Sequence, residues 1–194
     1  MNKNVTEIIF LLDRSGSMSG LERDTIGGFN SFLERQCQHA GETVVTTVLF
    51  DDEVEVLWNG VDAKSVNLTR EDYYVRGSTS LLDAVGKTII DVGSRLSKTP
   101  EALRPKNVIF VITTDGMENS SMEFSYSRVK ELIRHQQEKY SWQFLFMGAN
   151  IDVVKEADSL GINKEHAYQF EATEKGVEIM YDSVCEIISE KRVN

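Results

Sequence analysis

A chain of 194 residues, 41% hydrophobic and 27% charged, is long enough to bury a substantial core in one domain, and its composition is that of a globular protein. Its formal net charge of −10 comes from scattered acidic residues, which repels nucleic-acid backbones and anionic membranes and argues against both as partners. No apolar run approaches a membrane span, and the polar opening Met1–Glu7 lacks the basic-then-apolar form of a signal peptide, so the expected location is the cytoplasm.

The first element is the continuous apolar run Ile8-Ile9-Phe10-Leu11-Leu12, which reads as a strand buried on both faces. Leu21, Thr25, Phe29, Phe32 and Leu33 then recur at helical spacing. The β-branched stretch Val44–Phe50 is a second strand. It is followed at once by the turn Asp51-Asp52 and the strand Val54–Trp58, so these two form an antiparallel hairpin at the sheet edge. Residues 62–76 read as polar and irregular. Leu81, Leu82, Val85, Ile89, Val92 and Leu96 mark an amphipathic helix, with Pro100 and Pro105 bounding the connection after it.

Asn107–Thr113 is another fully apolar strand, Val129, Leu132, Ile133 and Gln136 stripe a third helix, and Trp142–Met147 is a strand ending at Gly148. A short helix over 151–159, a weak strand near Ala167–Phe170 and a helix striped by Val177, Met180, Val184 and Ile188 complete the chain. This alternation implies an α/β, doubly wound, mostly parallel six-stranded sheet with one antiparallel edge strand and helices on both faces. No repeat or linker divides it, so residues 1–194 are expected to form a single domain. Cys37 and Cys185 are far apart and fall within helical patterns, which favours free thiols over a disulfide.

Three loop segments carry the chemistry. Asp13-Arg14-Ser15-Gly16-Ser17 places a carboxylate and two hydroxyls at alternate positions just after the first strand, where ligand sites form in open parallel sheets. Gly77-Ser78-Thr79-Ser80 precedes the helix starting near Leu81, and Thr114-Asp115-Gly116 follows the Asn107–Thr113 strand. If those two strands are neighbours, Asp13 and Asp115 emerge side by side and Ser15, Ser17 and Thr79 add hydroxyls. An oxygen-only set of this kind suits Mg2+. Each segment also has a plainer reading: an Asx or Ser turn for the first, an N-cap for Thr79, a turn for Asp115-Gly116.

On these three segments the chain resembles the von Willebrand factor A (vWA) domain, and the segments look like its metal-ion-dependent adhesion site (MIDAS). The match is Asp-x-Ser-x-Ser at Asp13-Arg14-Ser15-Gly16-Ser17, the threonine of Gly77-Ser78-Thr79 and the aspartate of Thr114-Asp115-Gly116. It covers nearly the whole chain in order and spacing and implies a Rossmann-like vWA fold. The resemblance further implies that Ser15, Ser17 and Thr79 contact Mg2+ directly or with change of state, and that Asp13 and Asp115 bind it largely through water. Mn2+ or Ca2+ are substitutes. A protein partner's Asp or Glu would take the remaining position. Gly116 would keep its loop tight and Met18 would pack behind the site; movement of the last helix with metal coordination is a family property that the sequence leaves open.

The rim candidates are Arg14, Ser78, Gly116, Glu118 and Asn119. Arg14 departs from the small or polar residue common at its position. Its side chain diverges from those of Asp13 and Ser15, and it either steers acidic ligands from the rim or makes a structural salt bridge, the commoner outcome. Glu118 and Asn119 line the rim, support the ligands, or belong to a plain solvated loop, the last being favoured.

The remaining candidates read as structural. His39, His135 and His166 lack metal-ligand spacing, Trp58 and Trp142 read as packing residues, and Asp51-Asp52-Glu53 as a hairpin turn. Catalysis finds little support. The alternative is a Mg2+-dependent phosphohydrolase of haloacid dehalogenase type with Asp13 as nucleophile, but Ser15 stands where that chemistry needs a second acid. A Gly-x-Ser-x-Gly serine motif and a phosphate-cradling loop are both absent from the sequence. The expected function is a non-enzymatic, Mg2+-dependent protein-binding module.

Overall fold

The run Ile8–Leu12 forms the centre of the sheet because none of its side chains gains from facing water. The structure, a computed structural model, describes residues 2–193. In chain order these form β1 (Asn2–Asp13), α1 (Glu22–Gln36), β2 (Glu42–Phe50), β3 (Val54–Asp62), α2 (Leu81–Lys98), β4 (Pro105–Thr114), α3 (Tyr126–Tyr140), β5 (Gln143–Gly148), α4 (Val153–Leu160), β6 (Ala167–Gln169) and α5 (Glu174–Val193). The strand order is β3-β2-β1-β4-β5-β6, with β3 antiparallel to β2 and every other pair parallel.

Side chains of β1 alternate between two cores, as strand geometry requires. Ile8, Phe10 and Leu12 enter a layer shared with α1 and α5, whereas Ile9 and Leu11 enter one shared with α2, α3 and α4. Phe10 meets Phe29 and Phe32 of α1 edge-on, with ring centroids 5.3 and 5.1 Å apart. On the opposite face Phe110 of β4 stacks on Phe144 and Trp142. Both tryptophans pack, since Trp58 stacks on Phe29 at 6.2 Å. Cys37, just past α1, and the buried Cys185 of α5 are free thiols.

Two segments differ from the sequence reading. β3 runs four residues beyond Trp58, because Val61 and Asp62 pair with Val45 and Val44 despite the turn-forming Asn59-Gly60 between. The polar stretch 62–76 also delivers three side chains, Ala63, Leu68 and Tyr73, into the core. Among the described residues no helix is long and apolar enough to cross a membrane.

The chain leaves β1 towards β2 and β3, then returns through α2 to β4 on β1's other side. This reversal makes the carboxyl ends of β1 and β4 the topological switch point of the sheet. The register pairs Leu12 with Thr113, which sets Asp13 beside Thr114 at the mouth of that crevice.

Candidate metal centre

Asp13 ends β1 and is 1% exposed. Its Oδ1 accepts the Ser15 N–H at 2.7 Å and its Oδ2 accepts the Thr114 hydroxyl at 2.7 Å. The first bond is an Asx-type turn, so the plainer reading of this segment is present too. It does not cap α1, which starts at Glu22. The turn brings the Ser15 and Ser17 hydroxyls within 3.1 Å of each other, and Ser17 donates to Asp115 Oδ1. Asp13, Ser15, Thr79 and Asp115 are buried, whereas Ser17 is open to solvent.

Thr79 arrives from the loop before α2, and its hydroxyl does not cap that helix. The first amides of α2 are capped from another segment: Leu82 N–H donates to Glu118 Oε2 at 2.9 Å and Asp83 N–H to Ser121 Oγ at 3.0 Å. Thr79 is itself clasped by Asn119, whose Oδ1 accepts the Thr79 N–H at 2.9 Å and whose N–H donates to the Thr79 carbonyl at 3.0 Å. Gly116 lies against both facing loops. A β-carbon at Gly116 would sit 3.4 Å from Ser17 Oγ and 3.5 Å from Thr79 Oγ1, so the glycine leaves open the space those hydroxyls share.

The electrostatics of the two aspartates are unfavourable as they stand. Burial pushes the Asp13 carboxyl above its ordinary range; hydrogen bonds from Ser15 and Thr114 oppose the rise, and the neighbouring Asp115 charge adds to it. Burial likewise raises Asp115, against the pull of the Ser17 hydroxyl. Asp115 Oδ2 is buried with no hydrogen-bond partner among the described residues, and neither aspartate forms an ion pair there. A buried acceptor left unmatched is costly, and a cation removes that cost.

The donor chemistry fits a hard divalent cation. Two carboxylates balance its charge, and three hydroxyls supply oxygen without adding charge. Among the described residues no group of three or more His, Cys, Asp and Glu side chains is placed to hold a metal, so the two carboxylates have no third acid, histidine or cysteine beside them.

The rim candidates divide. Ser78 is exposed and Gly116 half-buried at the mouth. Glu118 and Asn119 are not a plain solvated loop: besides Leu82, Glu118 accepts the Ser120 N–H, the Ser121 N–H and the Ser121 hydroxyl, and Asn119 holds Thr79. Arg14 is not on the rim at all. It is fully buried, with Nε 2.7 Å from Asp51 Oδ2 and Nη1 2.7 Å from Glu55 Oε2, so the structural salt bridge prevails over the steering role.

Sequence reasoning missed three contributors. Thr114 fixes Asp13, and its position beside Asp115 was the available signal. Asp83, in the first turn of α2, accepts the backbone N–H groups of Met122, Glu123 and Phe124 and so anchors the loop after β4. Tyr73 donates its hydroxyl to the Asp13 carbonyl at 2.6 Å, and nothing in its polar surroundings signals it.

The chain is similar to solved structures of low sequence identity. Proximal thread matrix protein 1 from the mussel byssus, in a form with a zinc-occupied MIDAS motif, matches at TM-score 0.64 and 14% identity over 96% of this chain and 46% of that one. The SpRpn10 VWA domain matches at TM-score 0.62 and 10% identity, over 92% of this chain and 94% of that domain. The fold is that of a vWA domain. The manganese-loaded TRAP protein of Plasmodium vivax shares the vWA-like fold at TM-score 0.61 and 14% identity, covering 93% of this chain and 73% of that one. The chain spans about half the length of the mussel protein. No protein-family model matches it, and no curated protein matches it by sequence. Within the vWA fold the candidate centre lies at the switch point, where β1 and β4 end.

Proposed function

We propose that this single vWA domain binds a protein partner through a divalent cation, Mg2+ by preference, held by Asp13, Ser15, Ser17, Thr79 and Asp115. The observation that carries the reading is the Asp115 carboxylate, which has one oxygen on Ser17 and the other buried without a partner beside a second buried acid. When bound, the cation supplies a Lewis-acidic position that an Asp or Glu of the partner fills. The chain's own residues orient it: Thr114 and the Ser15 N–H fix Asp13, Asn119 fixes Thr79, and Gly116 keeps the approach clear.

The zinc-occupied and manganese-loaded relatives support a metal-binding role without fixing the ion here. A non-enzymatic role is favoured over phosphohydrolysis because both Asp13 oxygens are engaged in hydrogen bonds and the side chain is 1% exposed, poor conditions for a nucleophile. The free thiols of Cys37 and Cys185 suit a reducing compartment, and the reading places the protein in the cytoplasm.

The test is calorimetric titration of the full chain with Mg2+ and Mn2+, then affinity capture with Mg2+ or EDTA, each repeated with Asp13→Ala. Saturable cation binding and a partner captured only with cation and intact Asp13 are expected. Capture unaffected by EDTA and by Asp13→Ala would overturn the adhesion reading, and Mg2+-dependent phosphoester turnover abolished by Asp13→Asn would replace it.

A further inference from the structure

The largest fully buried side chain of the molecule, Arg14, is a cation one residue from each of two proposed ligands, Asp13 and Ser15. Its Nε donates to Asp51 Oδ2 at 2.7 Å, and Arg76 Nε donates to the same oxygen at 2.8 Å. Both guanidinium groups lie against the Tyr74 ring, 5.5 and 5.7 Å from its centroid. Nη1 reaches Glu55 in an ion pair outside hydrogen-bond geometry, and Nη2 is buried with no hydrogen-bond partner among the described residues.

This arrangement is an expensive way to fill a core position. Desolvating an arginine costs more than its ion pairs recover unless their geometry is excellent, and an apolar side chain of similar volume is often the more stable choice. The backbone around Arg14 indicates what the residue does instead. The Arg14 N–H donates to the Phe50 carbonyl, the Arg76 N–H to the Arg14 carbonyl, and the Ser80 N–H and hydroxyl both to the Asp51 carbonyl. Gly16 N–H donates to the Gly77 carbonyl at 3.2 Å. Asp51 thus stands between the loop carrying Ser15 and Ser17 and the loop carrying Thr79, with one arginine from each loop on its carboxylate.

We infer that the Arg14–Asp51–Arg76 cluster is a positioning device that fixes the spacing between the Ser15/Ser17 loop and the Thr79 loop and thereby sets cation affinity and selectivity. The inference rests on the proposed cation site but concerns residues that touch no cation. Mg2+ demands near-ideal octahedral geometry, whereas Ca2+ accepts looser and more variable coordination. A loosened loop pair therefore loses Mg2+ before Ca2+. A residue serving stability alone has no reason to distinguish the two ions.

The experiment measures Mg2+, Mn2+ and Ca2+ affinity by calorimetry for the full chain, Arg14→Met, Arg14→Lys, Arg76→Gln and Asp13→Ala, with thermal melts for each. Arg76 is partly exposed, so Arg76→Gln retains a folded protein should Arg14→Met not. The expected result is a fall in Mg2+ affinity of roughly tenfold for Arg14→Met, the scale of effects of residues that support metal ligands. A smaller fall is expected for Arg76→Gln, with Ca2+ affinity changing less in both and Arg14→Lys rescuing only in part. Folded variants that bind Mg2+ as the wild type does, or lose Mg2+ and Ca2+ equally, would overturn the inference while leaving the site itself intact. A wild-type chain that binds no cation, or an Asp13→Ala variant that binds as well as wild type, overturns the site and the inference together.

Discussion

Ser17 donates its hydroxyl to Asp115 Oδ1 across 98 residues of sequence, and the other oxygen of that carboxylate is buried without a hydrogen-bond partner among the described residues. The pair joins the loop after β1 to the loop after β4, the two strands that flank the switch point. On the proposed reading, a divalent cation at this junction would engage the orphan oxygen and add stability to the folded state alone.

The first prediction follows from that linkage. Cation at a hundred times its dissociation constant adds about 2.7 kcal/mol to unfolding. For a domain of this length that is a rise in Tm of roughly 5–10 °C. Mg2+ or Mn2+ should produce such a rise in a thermal melt, and Asp115→Asn should abolish it. An unchanged rise in the variant would sink the assignment of Asp115.

Gly116 gives a second test that separates binding from folding. An alanine methyl there meets Ser17 Oγ at 3.4 Å and Thr79 Oγ1 at 3.5 Å, ordinary contact distances. Gly116→Ala should therefore melt within about 1 kcal/mol of wild type, as mild substitutions do. The same methyl occupies the space the two hydroxyls share, so cation affinity should fall roughly tenfold. Calorimetry that finds wild-type affinity in a folded Gly116→Ala protein would show that the cation does not use this space.

Glu118 provides the contrasting case, a residue beside the site whose role is structural. Its carboxylate accepts from Leu82, Ser120 and Ser121, so it caps α2 and folds the loop after β4 at once. Glu118→Ala leaves these donors unmatched and should cost about 2–3 kcal/mol. Glu118→Gln, with one oxygen left to accept, should recover part of that loss in a denaturant titration. Equal stability of Glu118→Ala and wild type would contradict the capping role.

Most of the architecture was legible because strong periodicity identifies long elements. The unbroken Ile8–Leu12 run and the stripe from Leu81 to Leu96 could be little else than a buried strand and an amphipathic helix. The three site segments were legible because each sits at an element boundary. For Arg14 the structural salt bridge was the favoured reading, but its partner was not legible, since a sequence records charges but not their pairing, and Asp51 is 37 residues away. Tyr73 and Leu68 were missed because isolated apolar residues in a polar stretch carry no period. Glu118 and Asn119 read as solvated loop because their partners, Leu82 and Thr79, lie 36 and 40 residues earlier in sequence, at and before the start of α2.

The last prediction concerns pH. In the cation-free protein burial holds the Asp13 carboxyl above its ordinary value of 3.8 and raises Asp115 as well. A carboxyl raised in the folded state contributes stability that is fully present below the unfolded value and lost as pH rises through the folded one. At neutral pH the cation-free chain therefore carries the whole penalty of both. Asp51 runs the other way. Burial opposes its charge, but hydrogen bonds from Arg76, the Glu53 N–H and Arg14 outweigh that and hold its carboxyl below the ordinary range. Its contribution is present above the unfolded value and lost only as pH falls through the folded one. Asp13→Asn isolates the first effect, because the amide can donate to Thr114 while the Thr114 hydroxyl turns to the Gly116 carbonyl 3.1 Å away. Cation-free Asp13→Asn should melt above wild type at neutral pH, and the gap should close as pH falls through the raised Asp13 value towards 3.8. Cation affinity of the wild type should weaken over the same interval, since protonated carboxyls do not hold a dication. A difference in Tm between the two proteins that stays constant with pH would mean that Asp13 carries no such penalty.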